Sequence, residues 1–415
     1  MVLLRDIVGY CSSFCDDFQD IISVILRIRV MKSDNISNAE IICLFSLYFT
    51  AACSYNDSLN VISLYCMVPI ATVLCFHIYG FNTISSYFKP IMAMFLWVAI
   101  SSFWASYVEA ATRQLHQLIG VVMLTYIYFS LAKNKTLIPL LYFSFVICNI
   151  AAWTYAQTNI LSVIDIGIDR LNDDKLNANT LAYYTFYYTF ATFICHQICK
   201  GKWKRVFLML FFLSIPLTLY TAFLTASRQV LVIQIPLIGL CLMQKYFRFN
   251  SKSILTALLI AIIVFIVFTY VSDTLYEGSL LQQRSQTDVK DDVRYVLLKD
   301  AFNVGISNFF TGVGAGNFRF YTEEENFSHC TYLELFANTG IVGALLFIYP
   351  LWTFIKKQWV RYKLSKDTCI MSFLIFGLIF AVDNFFYVFY PDMFLMAFMC
   401  LVMSHSNLYW NELCK

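Results

Sequence analysis

The chain has 415 residues, of which 60% are hydrophobic and only 13% are charged, and its formal net charge is +3. Ordinary soluble domains carry about 25% charged residues, so this composition excludes that class of protein. The apolar residues also form long continuous stretches, which indicates a protein that crosses a membrane several times.

Residues 1–39 are predicted to form an amphipathic segment that lies on the cytoplasmic surface of the membrane. They lack a clean apolar run, because Asp6, Asp16, Asp17 and Asp20 interrupt the apolar residues. A cleavable signal peptide needs an uninterrupted apolar core, so none is expected here.

From residue 40 onward, apolar stretches of about 20 residues follow one another, the length that a helix needs to cross a bilayer core. We predict an all-α fold, a polytopic transmembrane helical bundle of about twelve spans. The predicted spans lie near 40–56, 59–79, 90–107, 115–132, 136–156, 178–198, 206–224, 229–244, 254–272, 335–355, 368–384 and 387–404. The segment from Asp383 to Asp392 is either a hairpin turn or part of one bent helix, and the latter leaves eleven spans.

The distribution of basic residues predicts the orientation. If residues 1–39 face the cytoplasm, 20 of the 29 Lys and Arg fall in inner segments and 9 in outer loops or helix ends. Short cytoplasmic loops retain positive charge during insertion, so both termini, including the tail at 405–415, are expected inside. The basic runs at 200–205, 245–252 and 356–363 all fall on this inner side.

Cysteines give no sign of a disulfide framework or a metal site. The 14 cysteines are spread mostly through the predicted spans and the N-terminal segment, and Cys330 is the only one in the long outer loop. Cys195, His196 and Cys199 lie close together in sequence but have no fourth ligand nearby, so no metal and no cofactor are predicted.

Two long polar segments on the predicted outer side interrupt the spans. The first segment, at about 157–177, lies within the nine spans of 40–272 and carries Arg170 among four aspartates. The second segment, 273–334, precedes the last three spans at 335–404. Loops of this length in a compact protein are either functional or disordered. The composition of the second loop favours order, so we expect the chemistry there.

The second loop is predicted to contain an amphipathic helix that lies along the membrane surface. Val289, Val293, Val296 and Leu297 share one face of this helix. The sequence TGVGAGNF follows, and its glycines, at 312, 314 and 316, are interpreted as turn residues. A contact between its backbone amides and a phosphate group is the alternative.

Three side chains are candidates for catalysis. Arg228 follows the seventh span and Arg294 lies in the long loop; a planar guanidinium can donate two parallel hydrogen bonds to phosphate oxygens. The structural alternatives are an arginine that reaches lipid headgroups and an ion pair with Asp291. His329 can take a proton from a sugar hydroxyl near neutral pH, although a loop histidine is more often an ordinary surface residue.

These patterns occur in an order that resembles a known family. Arg170 precedes LNANTLAYY, a T-x-S-R motif ends at Arg228, Arg294 precedes the glycine-rich turn, and His329 leads into YLELFANTGIVG. Over about 165–355 the chain resembles the O-antigen ligase and O-antigen polymerase superfamily of bacterial polytopic membrane glycosyltransferases. Members commonly have Asn after this histidine, whereas this chain has Cys330, which puts in doubt any role for the neighbouring amide.

The resemblance implies a fold of the C type of membrane glycosyltransferases (GT-C) and a site that faces outward from the bacterial inner membrane. It implies that Arg228 and Arg294 hold the diphosphate of an undecaprenyl diphosphate-linked oligosaccharide, with Arg170 as a further candidate for substrate binding. His329 would activate a hydroxyl of a glycan or lipid A core acceptor, with inversion and without a metal. Expected partners are membrane lipid, a chain-length regulator and flippase proteins, and no nucleic acid is expected.

Two choices of function remain open. A repeat-unit polymerase is preferred over an O-antigen ligase, because no acceptor-specific extra domain is recognisable in the sequence. A lipid-linked glycan flippase or another polytopic transporter is the alternative of a different class. Such a protein is expected to place charged or broken-helix sites near the bilayer midplane, where the predicted spans carry almost no charge.

Overall fold

The computed structural model describes residues 36–80, 87–161, 176–225, 227, 230–246 and 293–414. Within these ranges the regular secondary structure is helical and no β-strand is present. The predicted segment at 1–39 falls almost entirely outside them, as do the ninth span at 254–272 and most of the loop at 157–177. Arg170 and Arg228 likewise lie outside the described residues.

The helices follow one another with short connections. In chain order they are α1 (Asn38–Cys53), α2 (Asp57–Tyr79), α3 (Phe88–Ser101), α4 (Val108–Leu131), α5 (Ile138–Tyr155), α6 (Ala178–Ile198), α7 (Gly201–Thr225), α8 (Ile235–Tyr246), α9 (Val293–Ser307), α10 (Thr331–Ser365), α11 (Thr368–Asp383) and α12 (Met393–Leu413). Shorter helical turns lie inside or beside them: Ser63–Met67 inside α2, Ser102–Trp104 after α3, Ala156–Ile160 after α5, Val230–Gln234 before α8, and Phe318–Tyr321 between α9 and α10.

Every helix except α9 overlaps a predicted span. Of the described helices, α2, α4, α5, α7, α10 and α12 are long and apolar enough to cross a membrane, and α1, α3 and α11 are shorter apolar helices. The all-helical membrane protein predicted from the sequence is therefore confirmed. The count of about twelve spans and the GT-C architecture stay predictions.

Helices α6 and α12 form the centre of the bundle. Both are buried around almost their whole circumference, which is typical of a helix surrounded by other helices. Phe398 of α12 packs against Phe145 of α5 and Tyr187 of α6, with ring centroids 4.6 and 4.5 Å apart. Only 22% of the apolar window of α2 is buried, so α2 lies at the periphery.

One end of the bundle is rich in basic residues. It carries Lys133, Lys135 and Lys357 and is called the lysine end. The Nζ atom of Lys135 lies 3.3 Å from a carboxylate oxygen of Glu412, which joins the connection between α4 and α5 to the end of α12. The opposite end holds residues 308–330, the described part of the long loop after α9, and is called the loop end.

The structure decides between the two alternatives for the last spans. Helix α11 ends at Asp383 and α12 begins after Asp392, so a turn separates two helices. The Tyr409 hydroxyl, near the end of α12, donates a hydrogen bond of 3.2 Å to Asp367, just before α11 begins. The two helices are therefore antiparallel, and the turn between them lies at the loop end.

Helix α10 is broken at Gly340, where φ is 69° and ψ is −171°. Its freed carbonyl groups accept hydrogen bonds from outside the helix. The backbone N–H groups of Val313 and Gly314 donate to the carbonyls of residues 337 and 338 at 2.9 and 2.8 Å, and the Trp97 indole donates to that of Thr339 at 2.9 Å. Unpaired backbone groups are costly in a membrane, so the loop stabilises the broken helix.

This arrangement explains the glycine-rich turn. Gly312 has φ +66°, and a Cβ atom there would clash with the backbone of Asn338. The N–H groups of Gly312, Val313 and Gly314 all donate to backbone carbonyls, at 2.8 to 2.9 Å. These three amides are already used within the protein, which favours the interpretation as turn residues.

We expect Gly340→Ala to destabilise the protein. A Cβ atom at this position would clash with the Phe310 carbonyl, and a positive φ is unfavourable for alanine. The loss should exceed about 1 kcal/mol, measured as a lower thermal unfolding temperature of the purified protein in detergent. Gly239→Ala in α8 is the matched control, since no atom lies within 4 Å of the position that its Cβ would take. Equal unfolding temperatures for the two variants would contradict this account of the break.

Candidate active site

Four segments meet at the loop end and line an open cavity of about 330 Å³. They are the first turns of α4, the loop before α10, the first turn of α10 and the turn between α11 and α12. The polar lining consists of Arg113, Gln114, Gln117, Arg319 and Glu334, and the aromatic lining consists of Phe327, Tyr387 and Tyr390. A volume near the lower end of the usual range of about 300–1,000 Å³ suits a small polar group.

His329 is half-buried beside this cavity. Its imidazole ring centroid lies 4.3 Å from that of Phe327, which lines the cavity. Its φ is +57°, in the left-handed region that few residues other than glycine adopt. Such a conformation persists only where the surrounding structure enforces it, and it is frequent at functional sites.

Glu334 enforces this conformation from one side. Its carboxylate is only 6% exposed. One oxygen accepts the backbone N–H of Ser328 at 2.7 Å, and the other accepts the side-chain amide of Asn338 at 2.9 Å. A buried carboxylate needs such donors, so Glu334 fixes the residue that precedes His329.

Thr331 fixes the loop from the other side. Its backbone N–H donates to the carbonyls of Asn384 and Tyr387 at 2.8 and 2.9 Å. Its hydroxyl donates to the same Tyr387 carbonyl at 2.8 Å and accepts the N–H of Phe389 at 2.9 Å. The turn between α11 and α12 therefore holds the segment of His329 against the bundle.

Cys330 has a structural position. Its side chain is 1% exposed, and burial raises the pKa of its thiol. Its carbonyl accepts the hydroxyl of Ser328 at 3.1 Å and the N–H of Glu334 at 2.8 Å. A buried, protonated thiol is a poor nucleophile, so Cys330 supports the backbone beside His329 rather than reacting itself.

Only part of the predicted apolar face of α9 is buried within the protein, and Val289 lies outside the described residues. Val293 and Val296 are 47% and 41% exposed, whereas Leu297 and Ala301 are completely buried. Gly305, on the same stripe, packs against Phe336 of α10. The buried face of α9 therefore consists of small residues and Leu297, because a close approach of two helices favours small side chains.

Arg294 lies on this buried stripe, one turn before Leu297. Helices α9 and α10 run in the same direction, since Phe309 bonds to Ile341 and Gly305 contacts Phe336. From these contacts toward the N-terminus of each helix, α9 and α10 rise by the same distance per residue. This register puts the first turn of α9, with Arg294, beyond the start of α10, on the side of the loop that precedes it.

The other predicted arginines cannot be placed, because Arg170 and Arg228 lie outside the described residues. Thr225, which begins the T-x-S-R motif, ends α7 and is completely buried. Helix α7 begins at the lysine end, where the carbonyl of Lys204 contacts His196 at 2.8 Å. Thr225 therefore lies toward the loop end of the bundle.

The cavity contains polar residues that the sequence patterns did not single out. Arg113 and Gln114 belong to α4, about two hundred residues before the loop, so no local motif connects them with His329. Arg319 and Glu334 lie within the stretch that carries the family motifs, and the glutamate in YLELFANTGIVG was a signal available in the sequence. All four residues are identified as site candidates because they line the same cavity.

The arrangement can support proton transfer and can stabilise negative charge. A half-buried imidazole beside a cavity can accept a proton from a bound hydroxyl. Guanidinium groups in a site of restricted water can stabilise an anionic leaving group. Within the described part of the chain, no group of three or more His, Cys, Asp or Glu side chains could hold a metal ion.

Comparison with known families agrees with these motifs. Residues 211–348 match the family model described as O-antigen ligase (Wzy_C), and this segment includes Arg228, Arg294, Arg319 and His329. No curated protein matches the chain. The resemblance predicted from the sequence is thus confirmed over residues 211–348, which are similar to the O-antigen ligase domain of the superfamily of membrane glycosyltransferases that comprises O-antigen ligases and polymerases.

Proposed function

We propose that this protein transfers a glycan from undecaprenyl diphosphate to a hydroxyl group of an acceptor, as the repeat-unit polymerase of a bacterial surface polysaccharide such as an O-antigen or capsule. The observation that carries the proposal is the conformation of His329. It is held at a positive φ beside a polar cavity by contacts through Glu334 and Thr331. A histidine that is anchored on both sides beside a polar cavity is suited to a catalytic role.

The chemistry follows from these residues and the O-antigen ligase domain. The acceptor hydroxyl attacks the anomeric carbon, and its proton passes to the imidazole of His329. The bond between that carbon and the diphosphate breaks, and the electron pair leaves with the lipid diphosphate. Arg294 and Arg228 bind this anionic leaving group, with Arg170 as a further contact, and the attack from the opposite face inverts the anomeric carbon.

A transporter is disfavoured by the break in α10. Transporters use the free carbonyls of broken helices to bind ions. Here the carbonyls of Ala337, Asn338 and Thr339 accept hydrogen bonds from the loop and from Trp97. These carbonyl groups are therefore not free to bind an ion, because their hydrogen bonds hold the loop.

We place the loop end on the outer side of the inner membrane and both termini in the cytoplasm, because most Lys and Arg belong to the opposite end. Glu324→Cys at the loop end should react with a membrane-impermeant maleimide in spheroplasts. Lys202→Cys at the lysine end should react only after permeabilisation, and the unsubstituted chain supplies the baseline for native cysteines. Both positions are exposed. The reverse pattern would disprove the orientation and the external active site.

Arg294→Lys tests the diphosphate site. Lysine keeps the charge but loses the planar fork, so transfer should fall about tenfold or more if Arg294 binds phosphate oxygens in a bidentate manner. The assay is glycan transfer by the purified protein in nanodiscs with a lipid diphosphate donor, together with donor binding. Arg205→Lys, an exposed position at the lysine end, is the control and should keep full activity. Full activity of a folded Arg294→Lys variant would remove Arg294 from the mechanism.

His329→Ala tests the general base in the same assay. Loss of a general base costs about 10²–10⁴-fold in rate, whereas donor binding should remain. His77→Ala, at an exposed histidine of the lysine end, is the control. Near-normal transfer by a folded His329→Ala variant would contradict the assignment of His329 as the general base.

O-antigen ligase activity is the second candidate, because the matching family model carries that description. The transfer assay separates the two activities by the acceptor supplied. A polymerase extends a second lipid-linked repeat, whereas a ligase transfers the glycan to a lipid A core. Transfer to the lipid A core alone would replace our proposal with the ligase.

A further inference from the structure

The cavity at the loop end contains groups that the proposed reaction does not use. Arg113, Gln114 and Arg319 line it, although the donor diphosphate is assigned to other arginines. The cavity also adjoins the proposed base, because Phe327 lines it and packs against His329. A group bound there would lie beside the imidazole.

Two side chains of the cavity lining have hydrogen-bonding groups that the protein does not satisfy. The Nε atom of Arg319 and the side-chain nitrogen of Gln114 are buried, and neither has a hydrogen-bond partner among the described residues. Buried donors normally have partners, and leaving one unpaired is costly. Glu334 is the acidic residue of the lining, but its two oxygens already accept from Ser328 and Asn338. Arg319 and Gln114 therefore have donor capacity that the protein does not use, and a turn of either side chain toward the cavity presents it to a ligand with oxygen acceptors.

The guanidinium of Arg319 packs against an aromatic ring. It lies over the ring of Phe320, with 4.7 Å between its central carbon and the ring centroid. Phe320 in turn stacks on Tyr107 with a centroid distance of 4.0 Å, so the loop and the start of α4 together support the arginine. A planar guanidinium with restricted motion is suited to bidentate binding of a carboxylate.

The charge of the lining also favours an anion. Arg113 and Arg319 are opposed in the lining by Glu334 alone. Arg113 also lies 3.4 Å from Glu109, but both side chains are largely exposed, and such a pair contributes little. The rings of Phe327, Tyr387 and Tyr390 add apolar surface of the kind that a sugar ring can pack against.

We propose that this cavity is the acceptor subsite and that it takes a sugar residue bearing a carboxylate, which the guanidinium of Arg319 binds beside Gln114. The inference rests on the proposed function, because it takes His329 as the base that activates this acceptor. Arg319 is then a specificity-determining residue, and the acceptor ends in an acidic sugar.

Binding can be measured without any transfer reaction. Saturation-transfer NMR on the purified full chain in nanodiscs, with methyl β-D-glucuronide as the probe, should detect binding, and neutral methyl β-D-glucoside should bind more weakly. Arg319→Gln should weaken glucuronide binding about tenfold or more. Arg205→Gln at the lysine end is the matched control and should bind normally. Gln114→Glu gives a second test, since its added carboxylate should repel the probe.

The outcomes separate this inference from the proposed function. Equal binding of both sugars, no binding of the glucuronide, or unchanged binding by folded Arg319→Gln and Gln114→Glu variants would overturn the acidic-sugar subsite. Loss of donor binding in Arg319→Gln would also overturn it, because the cavity would then belong to the donor.

In the transfer assay, the glucuronide should compete with the acceptor and not with the donor. Absence of transfer by the unsubstituted protein would overturn the proposed function instead, and the NMR result would still decide the cavity.

Discussion

The break of α10 at Gly340 is the constraint on which the loop end depends. A helix that is interrupted inside a membrane protein leaves backbone carbonyls without partners, and lipid cannot supply donors. The loop after α9 supplies them through the N–H groups of Val313 and Gly314. The same contacts bind the loop to the bundle, so a long polar segment becomes an ordered part of the fold. The start of α10 is thereby positioned relative to α9 and α4.

The position of His329 follows from this attachment. The first turn of α10 is fixed by its contacts with the loop on one side and with the turn between α11 and α12 on the other. Glu334 and Thr331 carry those contacts, one through Ser328 and the other through Tyr387. The segment between them has little freedom, and it holds the histidine in a conformation that an unconstrained chain seldom adopts. Precise placement of a base is what transfer to a hydroxyl requires.

The charges at the two ends of the bundle serve different purposes. The lysine end has a high density of basic residues, which agrees with retention on the cytoplasmic side. Basic residues are scarcer at the loop end, and several of them lie around the cavity or on the buried face of α9, as Arg113, Arg319 and Arg294 do. The few basic residues beside the cavity are suited to bind anions, whereas the basic residues of the lysine end favour its retention in the cytoplasm.

The sequence by itself determined the helices, the membrane class and the family resemblance. Apolar stretches of span length predicted every described helix of the bundle except α9, because lipid allows few other structures, and the motifs around Arg294 and His329 agreed with the O-antigen ligase domain. The tertiary structure decided what distant segments bring together. Arg113 joined Arg319 and Glu334 only through the packing of α4 against the loop, which no local spacing encodes. The buried face of α9 was also decided by packing, because Ala301 and Gly305 carry little hydrophobic signal and are selected by how closely α10 approaches.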